Sequence, residues 1–476
     1  MTKDNSLRRT KIVVTLGPVS SSEDVLRKLI LAGMDVARLN FSHGSYADHG
    51  AVIGHLRTLS AELGKSVTIL QDLQGPKIRV GKLPEEKILL EEGSLIRLVP
   101  EKEYTGSGEE VPIDYPYTAE EARPGMQVLL DDGLLEMQVE KIEGTIVICR
   151  VVEGGILKQR KGVNFPNLNL RLPSLTDKDR HDLEFGLVQE VDWVSLSFVR
   201  SAADIKELKK LIERHGVVKP VIAKIEKPQA IDHLEEIIAE ANGIMVARGD
   251  LGVEMSPEKV PLLQKRIIEL CNRAGKPVIT ATQMLESMIH EPRPTRAEAS
   301  DVANAIIDGT DCIMLSGETA AGEFPVKAVE MMDKIAREVE ARIAFKTYPP
   351  EGHLDIMALS EATNIIDRVI KPKCIAVLTA SGRSARYVAA ERPTTPIYAL
   401  TQSLQVYHGL NLLWGIEPVL ISGSPTSFED LLKLAENTLR SRNLVSTGDR
   451  VIVLGGIPAG HAGGTNFIKI HIIGTF

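Results

Sequence analysis

The chain has 476 residues, 43% of them hydrophobic and 25% charged, the make-up of a soluble globular protein long enough for several domains. A net charge of −8, no long basic block and an aromatic content of only 4% argue against nucleic acid as the main partner. No apolar run approaches the about 18 residues of a membrane-spanning helix. The opening MTKDNSLRRT lacks the apolar stretch of a secretion signal, and Cys149, Cys271, Cys312 and Cys374 are scattered without metal-ligand spacing. Free thiols in a reducing, cytoplasmic setting are the expectation.

Short apolar runs then alternate with helical stretches. The strand candidates are KIVVTLG (11–17), VARLNFS (36–42), VTILQDL (67–73), WVSLSFV (193–199), VIAKIE (221–226), IMVARG (244–249), PVITATQM (277–284) and CIMLSGET (312–319). Between them, Ser201 with Asp204 reads as a capping box and Gly216 as a helix stop; Pro261 opens a helix that ends at Gly275. Eight strands alternating with helices predict a (β/α)8 barrel, with an open doubly wound sheet as the alternative. Polar residues gathered at the strands' carboxyl ends favour the barrel.

Residues 76–170 have a different texture: IRLVP, QVLLDDGLLEMQV and TIVICRVV read as alternating strands, with Asp132-Gly133 as a hairpin turn. They predict a small inserted β-barrel, acting as a lid, between barrel segments 1–75 and 171–345. After the linker-like FKTYPPEGH, residues 346–476 read as a separate α/β domain with strands CIAVLTASG, PIYAL, RVIVLGG and FIKIHIIG.

Lys224 and Glu226, two apart in a strand, share one face. Burying both is costly unless they are paired or bind a metal. Asp250, closing ARGD (247–250), reaches the same space, and two carboxylates beside an ammonium suit magnesium and a phosphate. A structural ion pair is the plain alternative. Gly249 and Gly252 let backbone approach an anion. Thr282 is either a satisfied strand hydroxyl or a group that handles a proton. Arg38, Asn40 and Ser42 alternate in ARLNFSHG, with Arg38 a candidate phosphate clamp and His43 a weaker candidate behind them.

Nine segments in order resemble the pyruvate kinase family: KIVVTLGP, GMDVARLNFSHG, QDLQGPKIRVG, KGVNFP, IAKIE, GIMVARGDLG, TATQMLESM, RAEASDVANAIIDGTDCIMLSGETA and GGTNFIKIHIIG. The resemblance implies transfer of a phosphoryl group from phosphoenolpyruvate to ADP, giving pyruvate and ATP. It implies Glu226 and Asp250 as ligands of magnesium, with manganese as a substitute, and Lys224 and Arg38 on the moving phosphoryl group. Gly249, Asp250 and Thr282 would line the pyruvate moiety, with Thr282 near enolate protonation. Arg79 and Lys161 match nucleotide-contacting positions, with Pro18, Asn40 and His43 nearby. A homotetramer is a further implication.

One departure stands out. Family members that bind potassium through Asn, Ser, Asp and Thr carry a Glu in GPEIR. Here Asn40, Ser42 and Asp72 are kept, but Leu73 replaces Thr, Gln74 replaces Lys, and Lys77 replaces the Glu. A tethered ammonium supplies a monovalent charge, so activity without potassium is expected. In the C-terminal domain, Thr379, Ser381, Gly382, Arg383 and Ser384 lie where a strand gives way to a helix, which is either an ordinary turn or a phosphate cradle. The resemblance favours an allosteric site for a phosphorylated effector. The competing readings are another magnesium-dependent 2-oxo acid enzyme, an aldolase or lyase, and a catalytically silent sugar-phosphate sensor.

Overall fold

The structure, a computed structural model, describes residues 8–166, 168, 171–348, 354–423, 427–457 and 464–475. Parts of the linker FKTYPPEGH and the first residue of GGTNFIKIHIIG lie outside them.

All eight predicted strands form: β1 (Lys11–Leu16), β2 (Val36–Asn40), β3 (Thr68–Asp72), β12 (Trp193–Leu196), β13 (Val221–Ile225), β14 (Gly243–Ala247), β15 (Val278–Ala281) and β16 (Cys312–Leu315). They close into one parallel barrel, and the open doubly wound sheet is excluded. The side-chain period of two sorts the residues. Val13, Val36, Leu70, Ile222, Met245, Ile279 and Met314 fill the interior, while Ile12, Val14, Ala37, Leu39 and Ile69 pack outwards with the helices. Two residues beyond each interior position lie the upper inward ones, which in β1, β2, β3, β12 and β13 are Thr15, Arg38, Asp72, Ser195 and Lys224. The strand pattern therefore carries the charges to one end of the barrel.

Several strands stop earlier than their apolar runs. Asn40 ends β2, so Ser42 is not on a strand face with Arg38; its N–H instead donates to Asn40 Oδ1 at 3.1 Å. Thr282 lies beyond β15 in a left-handed turn with Gln283, at φ +69° and +54°. The run IMVARG gives way at Arg248 to the helix Arg248–Glu254. Between barrel elements, the Ser201 N–H donates to Asp204 at the start of the helix Ala202–Arg214, and Gly216 and Gly275 follow their helices at positive φ, as expected.

The insert holds β4 (Lys87–Leu90), β5 (Leu95–Pro100), β6 (Glu110–Ile113), β7 (Gln127–Leu130), β8 (Leu135–Glu143), β9 (Ile146–Glu153), β10 (Gly155–Lys158) and β11 (Val163–Asn164). Six form a sheet in the order β11-β7-β8-β9-β5-β6, while β4 pairs with β10. Asp132-Gly133 turns the chain between antiparallel β7 and β8, as predicted. Arg79 bridges Gly162 beside β11, and Val80 bridges Ile113 of β6, so the segment entering the insert joins the sheet's two edges. Val128, Leu130, Met137, Val139, Val147 and Val151 make its own core.

The C-terminal sheet contains β17 (Cys374–Leu378), β18 (Ile397–Thr401), β19 (Ile416–Leu420), β20 (Arg450–Gly456) and β21 (Thr465–Ile472), ordered β19-β18-β17-β20-β21. Only β21 runs antiparallel to its neighbour. Strand β19 escaped the sequence reading because Pro418 interrupts it; an edge position tolerates the missing N–H. This domain also closes the barrel floor, since Leu412 is fully buried among the interior side chains.

Candidate active site

At the barrel's carboxyl end four charges form one buried chain. Arg38 Nε donates to Asp72 Oδ2 at 2.7 Å, Nη2 donates to the same oxygen, and Nη1 donates to Thr15 Oγ1 at 2.9 Å. Lys224 Nζ lies 3.4 Å from Asp72 Oδ2 and 3.0 Å from Glu226 Oε1, and donates to Ser197 Oγ at 2.7 Å. Ser195 Oγ donates to Asp72 Oδ1 at 2.6 Å, and the Phe198 N–H donates to Glu226 Oε2 at 2.6 Å. Phe198 reaches that oxygen from φ +54°, a conformation rare for a bulky residue, and such strain collects at functional sites.

Burial governs the electrostatics. For Asp72, burial alone would raise the carboxyl, but the Lys224 and Arg38 cations outweigh it and hold it below its usual range. For Lys224, burial opposes the charge, and Asp72 and Glu226 overcome it, leaving the ammonium above its ordinary value. Glu226 goes the other way: burial, with Asp250 adding to it, lifts its carboxyl above the usual range despite Lys224. Asp250 is thus near enough to Glu226 for its charge to oppose that of the glutamate.

Asp250 rises into this space from the first turn of the helix Arg248–Glu254. The Gly249 N–H donates to Thr282 Oγ1 at 2.8 Å, and that hydroxyl donates to the Ala281 carbonyl at 2.6 Å. Arg248 pins the same turn, donating to the Thr282 carbonyl at 2.7 Å and pairing with Asp301 at 2.8 Å. Arg248, Thr15, Ser195 and Ser197 were not singled out from the sequence. Ser195 and Ser197 had a signal, being alternate hydroxyls inside the apolar WVSLSF.

From the insert side, Asn164 Nδ2 donates to the buried Glu254 Oε1 at 2.7 Å, and Lys227 pairs with the same carboxylate. Arg79 Nη1 donates to the Arg160 carbonyl at 3.1 Å, and Lys161 pairs with Asp131 at 2.7 Å. His43 and Pro18 reach the surface; partial desolvation of the His43 ring by its surroundings, with the nearby Arg79 and Arg38 cations, holds its imidazole below its normal value. The structure does not bring Lys77 to Asp72. Its ammonium lies 3.2 Å from Asp250 and 3.6 Å from Asp132, while Asp72 is taken by Arg38, Lys224 and Ser195. Among the described residues no cluster of three or more His, Cys, Asp or Glu side chains is arranged around a common metal position.

In the C-terminal domain Thr379, Ser381, Arg383 and Ser384 line a cavity of about 770 Å3 together with Gln402 and Thr465, whose hydroxyl is hydrogen-bonded to that of Ser384. Gly382, between Ser381 and Arg383, turns the chain at φ +80°, and its N–H donates to Thr379 Oγ1 at 3.0 Å.

A closed parallel barrel whose strand ends converge on a buried array of opposed charges, carrying an inserted β domain and an appended α/β domain, defines a multidomain (β/α)8-barrel enzyme. Residues 7–329 match the family model described as pyruvate kinase, barrel domain, and residues 357–471 match pyruvate kinase, alpha/beta domain. The chain belongs to the pyruvate kinase family of phosphotransferases. It is 46% identical over 476 residues to a Synechocystis protein named pyruvate kinase 2, covering 98% of this chain and 79% of that protein. It is 44% identical to a Sporosarcina psychrophila pyruvate kinase, covering 98% and 81%. A Clostridium acetobutylicum pyruvate kinase is 41% identical, covering 98% and 100%.

Proposed function

We propose that this protein transfers the phosphoryl group of phosphoenolpyruvate to ADP, giving pyruvate and ATP, the last step of glycolysis. The observation that carries the reading is the buried chain Arg38–Asp72–Lys224–Glu226 with Asp250 beside it. Phosphoryl transfer asks a protein mainly for positioning and charge neutralisation. Lys224, fixed by Ser197 and Asp72, presents an ammonium to the group in transit. Arg38 spends three of its five N–H donors on Asp72 and Thr15 among the described residues, which leaves two for a phosphate. Thr282, oriented by Gly249 and Ala281, takes the pyruvate end and assists enolate protonation.

The donor set fits a divalent metal. Glu226 Oε1 is buried and faces the Lys224 ammonium at 3.0 Å, so this oxygen is already set against positive charge. Two carboxylates, Glu226 and Asp250, with substrate oxygens completing the shell, suit magnesium, with manganese as a substitute. Magnesium there would neutralise phosphate charge and orient the substrate. Arg79 and Lys161, at the insert's root, are assigned to the nucleotide, with Pro18, Asn40 and His43 bordering it. The insert then serves as a lid that excludes water.

Lys77, standing where relatives with GPEIR have Glu, supports turnover without added potassium. The C-terminal cavity supports binding of a phosphorylated allosteric effector at Thr379, Ser381, Gly382, Arg383 and Ser384. Strand β21 forms the sheet's edge with Ile470 and Ile472 exposed, an edge that supports assembly towards a homotetramer. No helix among the described residues is long and apolar enough to cross a membrane, in keeping with a cytoplasmic enzyme. An assay of ADP-dependent pyruvate formation from phosphoenolpyruvate with magnesium tests the reading. Turnover is expected; well-folded protein without it overturns the proposal.

A further inference from the structure

Lys224 has three N–H donors, and three partners surround them: Ser197 Oγ at 2.7 Å, Glu226 Oε1 at 3.0 Å and Asp72 Oδ2 at 3.4 Å. Asp72 is shared with Arg38 and Ser195, and Glu226 is assigned to the metal. Ser197 is the neutral partner, only 2% exposed, and its orientation is fixed from outside the charged chain. Its hydroxyl donates to the Leu73 carbonyl at 2.7 Å. With its one proton spent there, Oγ can only accept, so a lone pair is left for the ammonium. Leu73 is the first residue beyond β3, on the way into the insert.

The entering chain also lies close against Ser197. Gly75 sits at φ +69°, and a Cβ added to it would fall 3.0 Å from both Ser197 Cβ and Phe198 Cδ2. Its N–H donates to Asp179 Oδ1 at 3.0 Å, in the first turn of the helix Asp177–Val188 that follows the insert. Both roots of the insert therefore meet beside Ser197. We propose that Ser197 is a positioning residue for phosphoryl transfer: the insert's root, through the Leu73 carbonyl, orients its hydroxyl, and the hydroxyl aims the Lys224 ammonium. This role rests on the reading of Lys224 as the group that meets the moving phosphoryl. When Glu226 serves the metal and Arg38 the phosphate, Ser197 keeps its hold on Lys224, because a backbone carbonyl sets its direction.

The test compares two reactions of the full chain. Ser197→Ala removes a hydrogen bond to a charged group and should lower kcat by about thirtyfold, with KM within about threefold. Exchange of pyruvate methyl protons into D2O, with magnesium and inorganic phosphate in place of the moving group, needs proton handling at Thr282 but no phosphoryl transfer. Followed by proton NMR, it should stay within about threefold in Ser197→Ala, whereas a general loss of structure lowers both reactions. Gly75→Ala keeps the hydroxyl but presses on its seat, and should show the same split with kcat down about tenfold. The double variant should be no more than about twofold slower than Ser197→Ala, because both changes act through one hydroxyl. A Ser197→Ala kcat within about threefold of the unmodified chain, equal loss of both reactions in either variant, or losses that multiply in the double variant overturn the role of Ser197 while leaving Lys224 in place. Lys224→Met with an undiminished kcat overturns the reading of Lys224, and the role of Ser197 with it.

Discussion

The barrel end and the C-terminal cavity handle charge in opposite ways. At the barrel end Arg38, Asp72, Lys224 and Glu226 are at most 8% exposed, and each has a charged partner within the group. Removing four charges from water is costly, and mutual pairing offsets that cost only if the geometry is held. Ser195, Ser197, Thr15 and the Phe198 N–H supply the holding. The cavity instead offers hydroxyls and an exposed Arg383 around about 770 Å3 of open space. On the proposed function, one site is preorganised for charge that develops during a reaction, and the other leaves an effector to bring the charge. The first should therefore answer to mutation through rate, the second through regulation.

The sharpest way to break this comparison is Lys224→Met, which should lower kcat by about 10^3 while changing KM far less. Steady-state kinetics in magnesium buffer read it, and a loss below about tenfold would mean the buried chain is structural scaffolding. Next in size is Lys77→Glu. The unmodified enzyme should run equally well in sodium and potassium buffers, whereas the variant should need potassium for about ten- to a hundredfold of its rate. Strong potassium stimulation of the unmodified enzyme would remove Lys77 from that role.

Arg383→Ala addresses the other region. Basal kcat should hold within about twofold, while any activation by a sugar phosphate, sugar bisphosphate or nucleoside monophosphate should be lost. Kinetics at sub-saturating phosphoenolpyruvate would show this, and retained activation would move the effector elsewhere. The smallest effect concerns His408, where the C-terminal domain meets the barrel. Burial, helped by Arg57, pushes its imidazole from 6.5 down to about 4. The folded state thus refuses a proton that the unfolded chain accepts, so stability falls as pH drops from about 6.5 towards 4. Denaturant melts should show up to roughly 3 kcal/mol less of this loss in His408→Asn; identical pH profiles would contradict the assignment.

The barrel was legible because each strand is a mainly apolar run whose polar residues gather towards one end. The period of two carried Lys224 and Arg38 to the right face without any knowledge of their neighbours. What stayed hidden depends on contacts between distant segments. Arg248 acts by pinning a turn more than thirty residues away, and nothing in ARGD announces that. Thr282 sits in a left-handed turn although its neighbours favour a strand, because Arg248 and Gly249 bind that turn from outside. Lys77 stood out in the sequence as an unusual cation, yet its partners depend on how the insert lies against the barrel. Strand β19 was lost to its proline, and Leu412's place in the barrel floor has no local signature.

Phosphorus NMR of the purified protein with phosphoenolpyruvate, ADP and magnesium tests the central claim most directly. The account predicts that the phosphoenolpyruvate signal is replaced, one for one, by the γ-phosphate of ATP, with no inorganic phosphate, and that Lys224→Met abolishes the conversion on the same timescale. Release of inorganic phosphate without ATP, or no change in the spectrum of folded protein, would contradict it.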